Sequence, residues 1–212
     1  MILEPGKVFE RSVDSIQKIY AVVIALAISQ AIQSLLKDAN GSADLTLGRL
    51  SSGLPQLVAF LVTLVPFWHG MNRHLDRCYL EKSSGVVQGA LLFDFVAFFI
   101  ESSFLFAAAW SIRFGLETFY YLGGLLIVDM LWAFISHHIH FSGKKSHAVR
   151  WSIINIVAIA LGVLVVSFPF AAKPLVLMVL AIVRFIADYG ICWQFYFPAI
   201  EAPKTIIKPL SS

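Results

Sequence analysis

The sequence predicts an all-α fold: a polytopic bundle of six transmembrane helices joined by short loops. Three observations carry that expectation. Of the 212 residues, 58% are hydrophobic and only 14% charged, whereas soluble domains carry about a quarter charged residues. Apolar runs recur along most of the chain, each near the roughly 20 residues that a helix needs to cross a hydrocarbon core. The runs lack the period-two alternation of barrel strands, and hydrocarbon admits only helices and closed barrels, because the backbone must satisfy its own hydrogen bonds there.

The first run, Ile19–Leu36, is the most polar, with Ser29, Gln30, Gln33 and Ser34 in its second half. The preceding "MILEPGKVFERSVDSIQK" is mixed in charge. It lacks the early apolar stretch and small-residue cleavage site of a secretory signal, so the first helix is expected to stay as an anchor. The loop "KDANGSADLTLGRLSSG" leads to the second run, Leu54–Met71, where Pro66 predicts a kink that frees the carbonyl near Val62. The third run, Val86–Ile112, starts at "GVVQG" (Gly85 to Gly89), a small-xxx-small pattern suited to close helix contact. "SIRFGLE" turns the chain into Leu116–His137, and "PFAAKP" joins Val149–Phe168 to Pro174–Phe197. One transmembrane domain over residues 19–197 is expected, with cytoplasmic segments 1–18 and 198–212 on either side.

Orientation follows from the positive-inside rule. Lys7, Arg11, Lys18, Arg73, Arg77, Lys82, Lys144, Lys145, Arg150, Lys204 and Lys208 fall on one side, against Lys37, Arg49, Arg113 and Lys173 on the other. Both termini are therefore expected in the cytoplasm of a plasma or inner membrane. Trp68, Trp151, Trp193 and Tyr196 near the inner boundary, and Trp110, Tyr120 and Tyr121 near the outer one, are expected in interfacial belts. Cys78 and Cys192 come out on the cytoplasmic side, where thiols stay reduced.

Ionisable groups inside spans are costly and usually face a bundle interior or a water-filled cavity. Here they are Asp94, Glu101, Asp129, Arg184 and Asp188. With a rise of about 1.5 Å per residue, Asp94, Asp129 and Asp188 come to similar depth, roughly 12 to 14 Å from the inner boundary. Arg184 and Asp188, four apart, can pair along one helix face, and Asn155 can join them. Several carboxylates beside one guanidinium would leave excess negative charge, which invites a proton or a cation. The plainer expectation is an ionic lock that only holds helices in register.

All six histidines lie at or beyond cytoplasmic helix ends, in "HGMNRH" and "HHIHFSGKKSH". His69, His74, His137, His138 and His140 are the candidate ligands of a transition metal, imidazole being a common donor; His137 and His140, three apart, share a helix face. "HGMNRH" resembles the first histidine box of membrane-bound di-iron desaturases over a few residues. Those families repeat HxxHH boxes, which this chain lacks, so the likeness assigns no family. The alternative is that these histidines and lysines meet anionic headgroups.

"SGKKS" is no phosphate-binding loop, because the position that should hold its first glycine is His138. A GxSxG nucleophile elbow is also absent. The leading expectation is therefore a small channel- or transporter-type protein whose acidic cluster responds to protons or cations, rather than an enzyme. A lipid-directed metalloenzyme and a non-catalytic scaffold or sensor are the alternatives. Expected partners are membrane lipids and a second copy of the chain, not nucleic acid.

Overall fold

The computed structural model describes residues 5–38, 40–81, 89–140, 148–169 and 172–198. Six long helices follow in order: α1 (Pro5–Leu35), α2 (Leu47–Leu75), α3 (Ala90–Ser111), α4 (Glu117–His140), α5 (Ala148–Ser167) and α6 (Lys173–Ile191). A single-turn α7 (Trp193–Tyr196) closes the described chain. Among the described residues the extended backbone amounts to one isolated bridge, Lys37 to Ala43. All six long helices include a stretch long and apolar enough to cross a membrane.

Three helices differ from the apolar runs, α1 and the last run for tertiary reasons and α2 for a local one. α1 begins well before Ile19, because its polar leading segment has an inward face. Val13 is fully buried, and Gln17 Nε2 donates to Asp76 Oδ1 at 2.9 Å. α2 starts at Leu47 instead of Leu54 because Thr46 caps it, accepting from Arg49 N at 3.3 Å. It runs through Pro55 and Pro66 and then widens into a π-helical turn, Asp76–Leu80. The last run is not one helix to Phe197: the chain bends at Cys192, buried beneath Phe195 and Tyr196, and restarts as α7. Most of "GVVQG" lies outside the described residues. Its last member, Gly89, takes the left-handed φ of 86° at the N-cap of α3, which a glycine adopts without steric cost.

The main helix contacts close a ring in the order α1, α2, α6, α5, α4, α3 and back to α1, with α2 also leaning on α3 and α4. Burial is inverted relative to a water-soluble bundle. Asp94, Glu101, Asn155, Arg184 and Asp188 are buried, while Leu92, Phe99, Phe134, Val163 and Ile186 are exposed. α5 is the least enclosed: beyond Asn155 none of its described residues is fully buried.

The turn before α2 is tied down by polar contacts. Ser42 N donates to Asp38 Oδ1 at 2.8 Å, and Thr46 N to Asp44 Oδ1 at 3.0 Å. The Thr46 bonds hold the Asp44 carboxyl below its ordinary range. A lowered folded-state value means that this contribution is present at neutral pH and fades as pH falls through the acidic range. Thr46→Ala removes the α2 cap and is expected to lower stability by about 1 kcal/mol, read as a lower midpoint in detergent-solubilised unfolding.

Candidate functional site

The polar interior is organised by α6. Arg184 and Asp188 lie one turn apart, with Arg184 NH2 3.9 Å from Asp188 Oδ2. Arg184 donates from Nε (3.0 Å) and NH2 (2.9 Å) to Asn155 Oδ1 on α5. Asn155 in turn donates from Nδ2 to Asp129 Oδ2 on α4 at 2.6 Å. An amide both accepts and donates, so Asn155 links the guanidinium to a carboxylate on a third helix. Asp188 receives Trp151 Nε1 at 2.9 Å and the Tyr196 hydroxyl at 3.2 Å. That last contact explains why the bend at Cys192 matters: it folds Tyr196 back over the end of α6.

All of these groups except Asn155 line a small cavity of about 20 Å³, whose walls also include Glu101, Trp132 and Pro66. That volume holds roughly one water. Among the side chains that line it, Glu101 Oε1 and Arg184 NH1 are buried and have no hydrogen-bond partner among the described residues. Asp188 and Glu101 are each 2% exposed, whereas Asp129 is only partly buried.

Asp94 does not line this cavity. His74 Nε2 (3.0 Å) and the Tyr79 hydroxyl (2.7 Å) meet its Oδ2, and Trp132 Nε1 meets its Oδ1 at 2.9 Å. Trp132 is thus a partition, with a wall on the cavity and its N–H on Asp94. π-Helical turns insert a residue and often occur at functional positions. Here the turn carries Cys78 and Tyr79, both buried. The structure therefore gathers Glu101, Asp129, Asn155, Arg184 and Asp188 in one place and puts Asp94 in a second nest behind Trp132.

The histidines disperse. His69 Nδ1 lies 3.1 Å from the Tyr189 hydroxyl, and its ring packs on Tyr189, Tyr196 and Phe197. His74 faces α3 and α4 instead. His137 contacts the His138 ring, which leans on Phe134. The side chain of His140 and all of His147 lie outside the described residues. Among the described residues, no group of three His, Cys, Asp or Glu side chains is arranged to hold a metal.

Sequence reasoning missed the aromatic donors. Trp151 and Tyr196 were expected at the interface, yet both turn their polar tips inward onto Asp188. The usable signal was depth: Trp151 starts α5 where Asp188 nears the end of α6, so an antiparallel pair sets them level. Trp151→Phe keeps most of the ring and loses the N–H. Since hydrogen bonds to charged groups contribute about 1.5–3 kcal/mol, an unfolding midpoint clearly below wild type is expected.

No known protein family, curated protein or solved structure compared with the chain matches it.

Proposed function

We propose that the chain is a multi-pass integral membrane protein with both termini on the cytoplasmic side. In this reading it is a small transporter- or channel-type protein, and the Glu101–Asp129–Asp188–Arg184 cluster is its proton- or cation-responsive site. The apolar exterior around buried charge supports the first part, since lipid is the solvent that tolerates that inversion. One observation carries the second: carboxylates from α3, α4 and α6 share a water-sized cavity with a single guanidinium among the described residues. Charge balance in so poor a dielectric calls for a proton or a cation. The unpartnered Glu101 Oε1 is an acceptor that either would satisfy.

Orientation has a direct test, because both native cysteines are buried and Ser42 is exposed. A Ser42→Cys variant in intact cells is expected to react with an impermeant maleimide from outside. Labelling only after lysis would reverse the assignment. Activity is tested in liposomes holding a pH-sensitive dye. Wild-type protein is expected to dissipate an imposed proton or cation gradient, and Asp129→Asn to reduce the rate to the protein-free leak. Equal rates for the two proteins would leave the cluster as an ionic lock.

A further inference from the structure

The polar nest behind Trp132 has no part in the cavity cluster, yet it holds titratable groups of its own. Asp94 is fully enclosed. Its Oδ2 meets the Tyr79 hydroxyl at 2.7 Å and His74 Nε2 at 3.0 Å, and its Oδ1 accepts from Trp132 Nε1 at 2.9 Å. Cys78 Sγ lies 3.7 Å from the other ring nitrogen, His74 Nδ1. A thiol hydrogen turned toward Nδ1 makes Nε2 the nitrogen that donates to Asp94. Cys78, His74 and Asp94 thus form a hydrogen-bonded file running inward from the π turn. Two neighbouring charges face elsewhere: Asp76 receives Gln17, and Arg73 pairs with Glu81.

The file points at the cavity but stops short of it. Asp94, Phe98 and Glu101 follow at i, i+4 and i+7 on one buried face of α3, so Asp94 and Glu101 stand about 10 Å apart along the axis. Phe98 and Trp132 occupy that interval with ring centroids 5.2 Å apart, and both also line the cavity. Trp132 therefore touches both sites, with its wall on one and its N–H on the other. Hydrogen bonds to an ionised group are roughly twice as strong as neutral ones. A charged Asp94 holds the indole firmly, and a neutral one holds it weakly.

We propose that the His74–Asp94 pair is a second proton-binding station, that Trp132 is the gate between it and the cavity, and that the ion carried is the proton. The inference rests on the transport reading and names its substrate. A proton entering from the π turn adds at His74 Nδ1 while another leaves Nε2 for Asp94 Oδ2. His74 ends neutral, Asp94 becomes neutral, and the nest has gained one proton. The weakened bond releases Trp132, and the proton passes to Glu101 or Asp129. Asp94 is then charged again and recaptures the indole. A hard cation such as Ca²⁺ takes about six to eight oxygen ligands, whereas hydrogen-bond donors already converge on Asp94. Chains of Asp, Glu and His act as proton relays inside membranes. A proton handed along hydrogen bonds needs no open pore, in keeping with the burial of Cys78, His74, Asp94 and Trp132.

The test uses the full chain in liposomes holding a pH-sensitive dye, with a potassium ionophore to balance charge, and a parallel set holding a potassium-sensitive dye without it. Wild-type protein is expected to dissipate a proton gradient and to leave a potassium gradient intact. Asp94→Asn should cut proton flux to the protein-free leak; His74→Gln should do the same and replaces it should Asp94→Asn fail to fold. Trp132→Phe keeps a ring in the partition and loses the N–H, so proton flux should rise about tenfold or more, the factor that a hydrogen bond to a carboxylate is worth. A merely structural nest would move all the variants downward with their unfolding midpoints. Proton flux that Asp129→Asn abolishes, but that Asp94→Asn and Trp132→Phe leave unchanged or lower together, overturns the station and its gate while the transport reading stands. Potassium flux through the wild type overturns the proton assignment alone. A wild type that dissipates neither gradient sinks the transport reading, and this inference with it.

Discussion

Arg184→Leu is expected to be the most damaging single change in the protein, lowering stability by about 3–5 kcal/mol, the usual cost of removing one partner of a buried charge pair. Asn155 Oδ1 would lose both of its donors and Asp188 the one cation within 4 Å among the described residues. Asp129 and Glu101 would remain in the same cavity with no positive charge on its walls among the described residues. Arg184→Lys should recover part of the loss. An ammonium restores the charge but cannot reproduce donation from two nitrogens of one planar group. Combining Arg184→Leu with Asp188→Leu should be less harmful than the single change, because a buried pair replaced by apolar groups often breaks even. Unfolding midpoints of the four proteins in one detergent give the comparison. A loss below about 1 kcal/mol for Arg184→Leu, within the range of an ordinary neutral hydrogen bond, would show that Arg184 is not the electrostatic centre of the interior.

Asp129→Asn is expected to have the largest effect on activity with little effect on folding. Asparagine is nearly the same size, and its carbonyl can still accept from Asn155 Nδ2, the one hydrogen bond at this carboxylate among the described residues. The change should therefore leave the unfolding midpoint within about 1 kcal/mol of wild type, the scale of a neutral hydrogen bond, while gradient dissipation falls to the leak. Asp129 is the informative position because a single hydrogen bond, from Asn155, holds its carboxylate among the described residues, whereas Asp188 is held by Trp151, Tyr196 and Arg184. Asp188→Asn should thus impair folding and flux together. A variant series in which Asp129→Asn loses stability but keeps its flux would assign the cluster to structure alone.

The six long helices and the inward placement of the charges were legible because each depends on local chemistry. A run such as Val149–Phe168 has no partners for its backbone in hydrocarbon other than its own. The pairing of Arg184 with Asp188 needed only helical periodicity. The partners across helices were not legible. Nothing in the local sequence says that Asn155 bridges Arg184 to Asp129, that Trp132 stands between Asp94 and the cavity, or that His69 and His74 face different neighbours.

The sequence alone determined the number of long helices, their apolar surfaces and the fact that a few charges must hide inside, because cost per residue in a nonpolar medium depends on the residue itself. Tertiary structure alone decided which charges meet. The rotation of each helix, the π turn that brings Tyr79 to Asp94 and the bend at Cys192 that returns Tyr196 to Asp188 arise from packing between segments distant along the chain. Depth along a helix is a one-dimensional quantity that can be counted; the direction in which a side chain points is set by its neighbours in the ring.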